Sequence, residues 1–316
     1  MAIYLLPEGK VLRSFVAKKP GLGPKEIKCM RKALKGLPLP LKLPKADFVE
    51  WRFRHKDGKT TITFGEQGTH ETSWLKKIFG GLGGEKITVT GSGRGLEMWA
   101  DMTIAVPANA TLRVRHGVGA VDARGVTGEL DLDTHAGAIS VRDSQGELRL
   151  DTGSGRVSVA SVRGDVSIDT GSGAVVLEDV VGDKIHVDTG SGGVEAASLT
   201  CEHLVIDTGS GGVAASGVST ERAEIDTGSG GVTLQLDRMG HGQFVVDTGS
   251  GGIELELPRD ASARIVADSG SGRIRADVEG ATIEHEEDDE LRLTVGDGDA
   301  RVSLDAGSGS ITVRSR

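Results

Sequence analysis

The sequence predicts an all-β protein, a β-solenoid (β-helix) with 18–21-residue coils, preceded by a small basic α+β cap or docking domain. Three observations predict it. One turn, Asp-Thr-Gly-Ser-Gly, recurs at near-constant spacing. The segments between turns alternate apolar and polar residues. Glycine is abundant, 48 of 316 residues, while Trp, Tyr and Phe together number ten, so the chain is cut into many tight turns and lacks the material for a large aromatic core.

The turn stands at Asp151-Thr-Gly-Ser-Gly-Arg-Val157, Asp169-Thr-Gly-Ser-Gly-Ala-Val175 and Asp188-Thr-Gly-Ser-Gly-Gly-Val194, and returns at Asp207, Asp226 and Asp247. Looser copies begin at Asp133, Asp268 and Asp305, and Arg115-His-Gly-Val-Gly-Ala-Val121 reads as a degenerate first copy. From Asp133 the spacings are 18, 18, 19, 19, 19, 21, 21 and 37. The last is either two coils or one coil with an acidic insertion, Glu284-His-Glu-Glu-Asp-Asp-Glu290. Between turns, Val232, Leu234 and Leu236, and then Ile253, Leu255 and Leu257, show the period of two expected of strands with one buried face. The glycines are expected to supply positive φ at sharp corners. A single coil buries too little to offset the entropy of ordering it, so neighbours must stack, with equivalent residues about 4.8 Å apart. Small and β-branched side chains suit so narrow an interior. The chain closes on Thr312-Val-Arg-Ser-Arg316, where charges near an open edge are expected to discourage pairing and self-assembly.

On these turns the sequence resembles the bacterial adhesin-type β-strand-repeat family, which shares a glycine-serine turn. The resemblance covers about residues 87–316 and includes Val106-Pro-Ala-Asn-Ala-Thr-Leu-Arg-Val114, echoed internally as Leu257-Pro-Arg-Asp-Ala-Ser-Ala-Arg-Ile265. It implies a β-solenoid and, by the family's name, adhesion. It assigns no catalytic residue.

Charge divides the chain at the same place. Residues 1–86 hold 18 Lys and Arg against 8 Asp and Glu, a balance of +10, and residues 87–316 hold 19 against 38, a balance of −19. Lys184 is the sole lysine after the boundary. Two domains are therefore expected: a basic one over 1–86 and an acidic repeat domain over 87–316. In the first, Pro24–Gly36 reads as a short helix that places Lys25, Lys28, Lys32 and Lys35 off its apolar face. Leu37–Pro44 reads as an extended strap. Phe48–His55 and Thr60–Phe64 read as a β-hairpin about Lys56-Asp-Gly-Lys59, and Glu71–Gly80 as an amphipathic helix. Lys25, Lys28, Lys32 and Lys35, with Trp51, Trp74 and Phe79, are the candidate docking residues. They serve either a cap that shields an open sheet edge or a module for an acidic protein partner or an anionic membrane surface. Nucleic acid is disfavoured, because the acidic repeat would repel it.

Three signals invite a catalytic reading. Asp-Thr-Gly-Ser after apolar residues matches the aspartic-protease tetrapeptide, but those enzymes need two aspartates facing each other, whereas these stack in a row. Asp151, Asp169, Asp188, Asp207, Asp226 and Asp247 are better read as a carboxylate ladder, either solvated and relieved by the Thr and Ser hydroxyls or holding calcium between coils. The Gly-Ser-Gly-Gly runs lack the Lys-Ser/Thr ending of a phosphate loop, and the eight histidines make no catalytic or metal-ligand spacing. Cys29 and Cys201 read as packed thiols. The expectation is therefore a non-enzymatic scaffold or structural subunit with no catalytic residue and no cofactor beyond calcium. A cell-surface adhesin or glycan-binding solenoid is the alternative, followed by a carbohydrate-active β-helix enzyme. No secretory signal precedes Pro7 and no apolar run reaches membrane-spanning length. The expected location is the cytoplasm or the cytoplasmic membrane face, with the cell surface as alternative.

Overall fold

The computed structural model describes residues 101–316 throughout. Before them it describes the strands Ile3–Leu6, Arg13–Ser14, Val49–Lys56, Lys59–Glu66 and Ile87–Thr90. From about residue 110 the chain winds as a β-solenoid whose coils pair in parallel, each residue above the one 18 to 21 positions earlier. The coil beginning at Val157 shows the plan. Its inward residues are Val157, Val159, Val162, Val166, Ile168 and Thr170, all buried to within 1 %. The chain bends at Ser161, whose φ is 53°, again at Gly164, and finally at the Asp-Thr-Gly-Ser-Gly turn. Equivalents of Ser161 keep the left-handed conformation in six successive coils, at Gly125, Asp143, Ser161, Asp179, Ser198 and Gly217. Glycine adopts that conformation freely and aspartate tolerates it. The interior is one stack of aliphatic columns, and Phe244 is its aromatic member among the described residues.

The turn is where stacking is tightest. A Cβ on Gly153 would lie 2.6 Å from the His135 carbonyl oxygen, and on Gly171 2.7 Å from that of Gly153. A Cβ on the second glycine of each turn, such as Gly173, Gly192 or Gly211, would overlap the carbonyl of the matching glycine one coil earlier. From Gly173 onward neither glycine of the turn has a positive φ among the described residues. The expectation of left-handed corners is therefore corrected for these copies. They are glycine because the neighbouring backbone passes where a side chain would begin.

Threonine locks that approach. In Thr208 the hydroxyl accepts from the Gly211 N–H at 3.0 Å and donates to the Gly192 carbonyl of the previous coil at 3.0 Å. The same pair of bonds recurs at Thr189, Thr227, Thr248 and Ser269. The Thr hydroxyls are thus spent on backbone groups inside the turn and do not relieve the aspartates, as one reading of the ladder required. Ala306, which stands in the threonine column, has no hydroxyl to make either bond.

Stacking order departs from sequence order near the carboxyl end. Gln243–Thr248 pairs with Ala300–Ala306, and Ala300–Ala306 pairs on its other side with Ala263–Ser269. Likewise Ile311–Ser315 lies between Ile253–Leu257 and Ile274–Asp277. The coil 300–315 is therefore inserted between two coils that precede it in sequence. The chain skips one place, builds the outermost coil, and crosses it with the antiparallel hairpin Thr282–Glu286 and Glu290–Val295. It then returns to fill the gap. So the 37-residue spacing is one coil plus a hairpin, and the acidic run is the hairpin's outer strand and turn. The carbonyls of Asp288 and Asp289 accept from the Ile274 and Ser269 N–H groups at 2.9 Å each. An exposed edge so rich in carboxylates discourages strand addition. Thr312–Arg316 is not the open edge that the sequence suggested. Arg314 pairs with Glu254 at 2.7 Å and Glu256 at 3.1 Å, and Arg316 pairs with Glu256 and Asp237 at 2.5 Å each.

At the amino end Ile3–Leu6 lies in parallel between Asp101–Ala105 and Val121–Arg124, with Arg13–Ser14 antiparallel to Asp101 and Met102. Val49–Lys56 and Lys59–Glu66 form the expected hairpin, and Ile87–Thr90 adds a third antiparallel strand. Strand pairing thus crosses the charge boundary at 86/87 in both directions. The expected helices at 24–36 and 71–80 and the strap at 37–44 lie outside the described residues.

Two predictions follow from the turn. Gly211→Ala should cost about 3 kcal/mol, the overpacking penalty of a side chain with nowhere to go. Gly212→Ala, whose Cβ would sit 3.3 Å from its nearest neighbour, should cost under about 1 kcal/mol. Thr208→Val should cost about 2 kcal/mol by stranding an N–H and a carbonyl. Ala306→Thr should add about 1 kcal/mol by completing the missing rung. Chemical denaturation of the four variants measures all of these.

Candidate functional site

The outward side of the turn carries the aspartates. Because Thr points inward, the residue before it points out, and parallel pairing puts each Asp beside the next. In spatial order the column runs Asp133, Asp151, Asp169, Asp188, Asp207, Asp226, Asp247, Asp305, Asp268. All six aspartates expected in the ladder are in it, extended at both ends by the looser copies. They lie side by side, not across a cleft, so they do not form a proton-sharing protease pair. Among the described residues no three or more His, Cys, Asp and Glu side chains group in a way that could hold a metal ion.

The column's electrostatics follow from this geometry. Partial burial and the carboxylates of Asp133 and Asp169 push the Asp151 carboxyl above the usual range, and partial burial with Asp305 and Asp226 does the same at Asp247. At the amino end Arg115 pairs with Asp133, the first of the column, and Arg113 with the nearby Asp131, at 2.6 Å each. Four residues before the aspartates an opposite column runs through Lys184, His203 and Arg222, stacked in register, and Arg301 and Arg264 continue it beyond Gln243. Burial, then Arg222 and Lys184, push the His203 imidazolium down towards the neutral form. The repeat domain's net −19 therefore conceals a basic stripe.

The residue that follows the second glycine of the turn behaves differently from the two fixed glycines. It is Arg156, Ala174, Gly193, Gly212, Gly231, Gly252, Ser310 and Arg273 in successive coils. A Cβ on Gly193, Gly212 or Gly231 would lie 3.3–3.4 Å from the nearest backbone atom, so the fold admits side chains here. Four glycines in a row followed by Ser310 instead leave a shallow groove of about 680 Å³ across five coils, with Glu195 and Glu254 among its lining. Sequence reasoning missed it. The signal was the change from Gly-Arg-Val and Gly-Ala-Val to three consecutive Gly-Gly-Val turns and then Gly-Gly-Ile.

Of the expected docking residues, Lys25, Lys28, Lys32, Lys35, Trp74 and Phe79 lie outside the described residues. Trp51 stands in Val49–Lys56, opposite Phe64 in the strand register.

Residues 85–314 match the Toastrack DUF4097 family. The chain belongs to that family. The Toastrack match identifies the repeat, no adhesin family is confirmed, and the Toastrack domain is not a known enzyme family. No curated protein and no solved structure matches the chain.

The Toastrack domain's carboxylates should respond to pH in opposite senses. Arg316 hydrogen bonds, helped by Arg314, hold Glu256 below the usual range. Its contribution is present above the unfolded value of about 4.3 and is lost as pH falls through the lower folded value. Asp151 and Asp247 have raised folded values. The folded state binds those protons more readily, so their repulsion is relieved as pH falls through the folded value towards about 3.9. Glu256→Gln should therefore lower the melting temperature at pH 7, and by less as pH falls towards 3. Asp247→Asn should raise it slightly at pH 7, a gain that fades in acid. Melting curves from pH 3 to 8 check both.

Proposed function

We propose that this Toastrack protein is a non-enzymatic scaffold or accessory subunit of a larger assembly. Its basic amino-terminal residues dock it there, while the solenoid presents an elongated surface to a partner. The observation that carries the reading is the repetition of the surface itself. The aspartate column repeats one residue type at nine successive places down the stack, and the described residues bring together no convergent set of acid, base and nucleophile in a pocket. Catalysis needs such convergence at about 3 Å; binding along an extended partner needs a long, regular face. The attached partner is an acidic protein or an anionic membrane surface, and the location is the cytoplasm or the cytoplasmic membrane face.

Deleting residues 1–86 is a poor test, because Ile3–Leu6 pairs within the solenoid sheet and its removal would open that sheet. Charge reversal at Lys25, Lys28, Lys32 and Lys35 is cleaner. It should abolish capture of partners from the native cell, or binding to anionic vesicles, while leaving the melting temperature unchanged. Capture that survives the reversal would rule out docking through these lysines.

A second reading, a glycan-binding solenoid, is favoured by the groove over Gly193–Ser310. Gly212→Arg with Gly231→Arg fills it with the side chain that Arg156 and Arg273 already place at this position. The variant should keep its fold and lose binding on a glycan array if the wild type shows any. Equal binding by both would remove the groove from consideration.

A further inference from the structure

The inserted coil has a property that no other coil among the described residues shares. It is bounded on both sides by strands that precede it in sequence, so its place is a slot between two walls. Lifted out, 300–315 would leave Gln243–Thr248 and Ile253–Leu257 unpaired on one wall, and Ala263–Ser269 and Ile274–Asp277 on the other. Both walls would offer free backbone donors and acceptors and a row of aliphatic side chains. The segment that fills them matches in chemistry. Val302, Leu304, Ile311 and Val313 are all at most 2 % exposed, and Arg314 and Arg316 reach Glu254, Glu256 and Asp237 on the earlier coils.

Two further features loosen the segment without spoiling the match. Its threonine-column residue is Ala306, so the hydroxyl link to the earlier wall is absent. The connection into the slot is Gly296-Asp297-Gly298-Asp299, in which both glycines are left-handed, with φ of 61° and 75°, and both aspartates are exposed. The Ser262 hydroxyl gathers it, accepting from the Asp297 N–H at 3.0 Å and donating to Asp299 at 2.9 Å. A short glycine-flanked connection of this kind is where a packed element swings as a unit.

We infer that the segment 300–316 is an exchange element, and that the same slot in a second copy of this chain accepts it. Two copies trading segments form a reciprocal dimer in which every slot contact is kept and the 296–299 connection alone changes its path. That is the low-cost route to a symmetric dimer. The occupant is a second copy because the slot demands this chain's own chemistry: aliphatics at the inward positions of two strands and two arginines set to meet Glu254, Glu256 and Asp237.

The test uses the full chain. Gln243 and Arg301 are exposed register partners on the wall and the inserted strand, at the spacing of neighbouring strands, within disulfide reach. Gln243→Cys with Arg301→Cys, in a Cys29→Ser background, is incubated at low and at high concentration in urea below the unfolding transition. It is then diluted, oxidised and run without reductant. An intrachain bond in dilute protein and a covalent dimer after concentrated incubation are expected. Intrachain bonds at every concentration would overturn the exchange. Should the cysteine pair fail to fold, a second measurement mixes unaltered and ¹⁵N-labelled chains and follows them by native mass spectrometry. Mixed dimers should appear slowly, and about tenfold faster with Glu256→Gln, which removes a charged hydrogen bond holding the segment. No mixed dimers, or mixing as fast as simple surface contact, would overturn it as surely.

Discussion

The close passage of one turn's backbone against the next governs this structure. Two glycines in each Asp-Thr-Gly-Ser-Gly turn have a neighbouring carbonyl where a Cβ would stand, and the threonine between Asp and Gly ties the two coils by accepting from one and donating to the other. That contact sets the spacing of coils, which sets the spacing of every column inside and outside. The narrow aliphatic interior, the near absence of aromatics and the parallel register all follow, because a larger side chain anywhere in the stack would hold the turns apart.

The same constraint has an electrostatic price. Once Thr faces inward the residue before it faces out, and the backbone spacing brings nine carboxylates into one column with no freedom to separate. The molecule answers in two places. At the amino end Arg115 pairs with Asp133, beside Arg113 on Asp131. Lys184 and Arg222, on either side of a His203 held towards its neutral form, lay a parallel basic stripe. Arg314 and Arg316 pair instead with Glu254, Glu256 and Asp237, outside that column, where they fasten the inserted coil. Charge on this surface is therefore organised by column, and the net value of a domain says little about what a given face would attract.

Much of the fold was legible in the sequence, because a repeated turn and period-two alternation are direct imprints of coil geometry. Even the looser copies at Asp133, Asp268 and Asp305 fell into the column. The order of the last two coils was not legible. Asp268-Ser-Gly-Ser-Gly and Asp305-Ala-Gly-Ser-Gly satisfy the same register equally well, and a repeat carries no label for its place in the stack. The acidic run gave a hint of interruption but not of a hairpin that reverses direction. The role of glycine was misassigned for a related reason: close approach and positive φ select the same residue, and a sequence does not distinguish them. The groove over Gly193, Gly212, Gly231 and Gly252 was hidden inside that ambiguity, since fixed and optional glycines read alike.

The two ends of the solenoid are built from strands that do not follow the repeat, Ile3–Leu6 at one and the 282–295 hairpin at the other, while the middle coils share one turn with the same internal bonds. A middle coil could therefore be gained or lost whole without disturbing either end. Each such step would change the length of the molecule by a single strand spacing, about 4.8 Å, and leave every other contact as it was. Built this way, the protein is a ruler graduated in coils, on which the distance between its two ends is an inheritable quantity that varies in discrete increments.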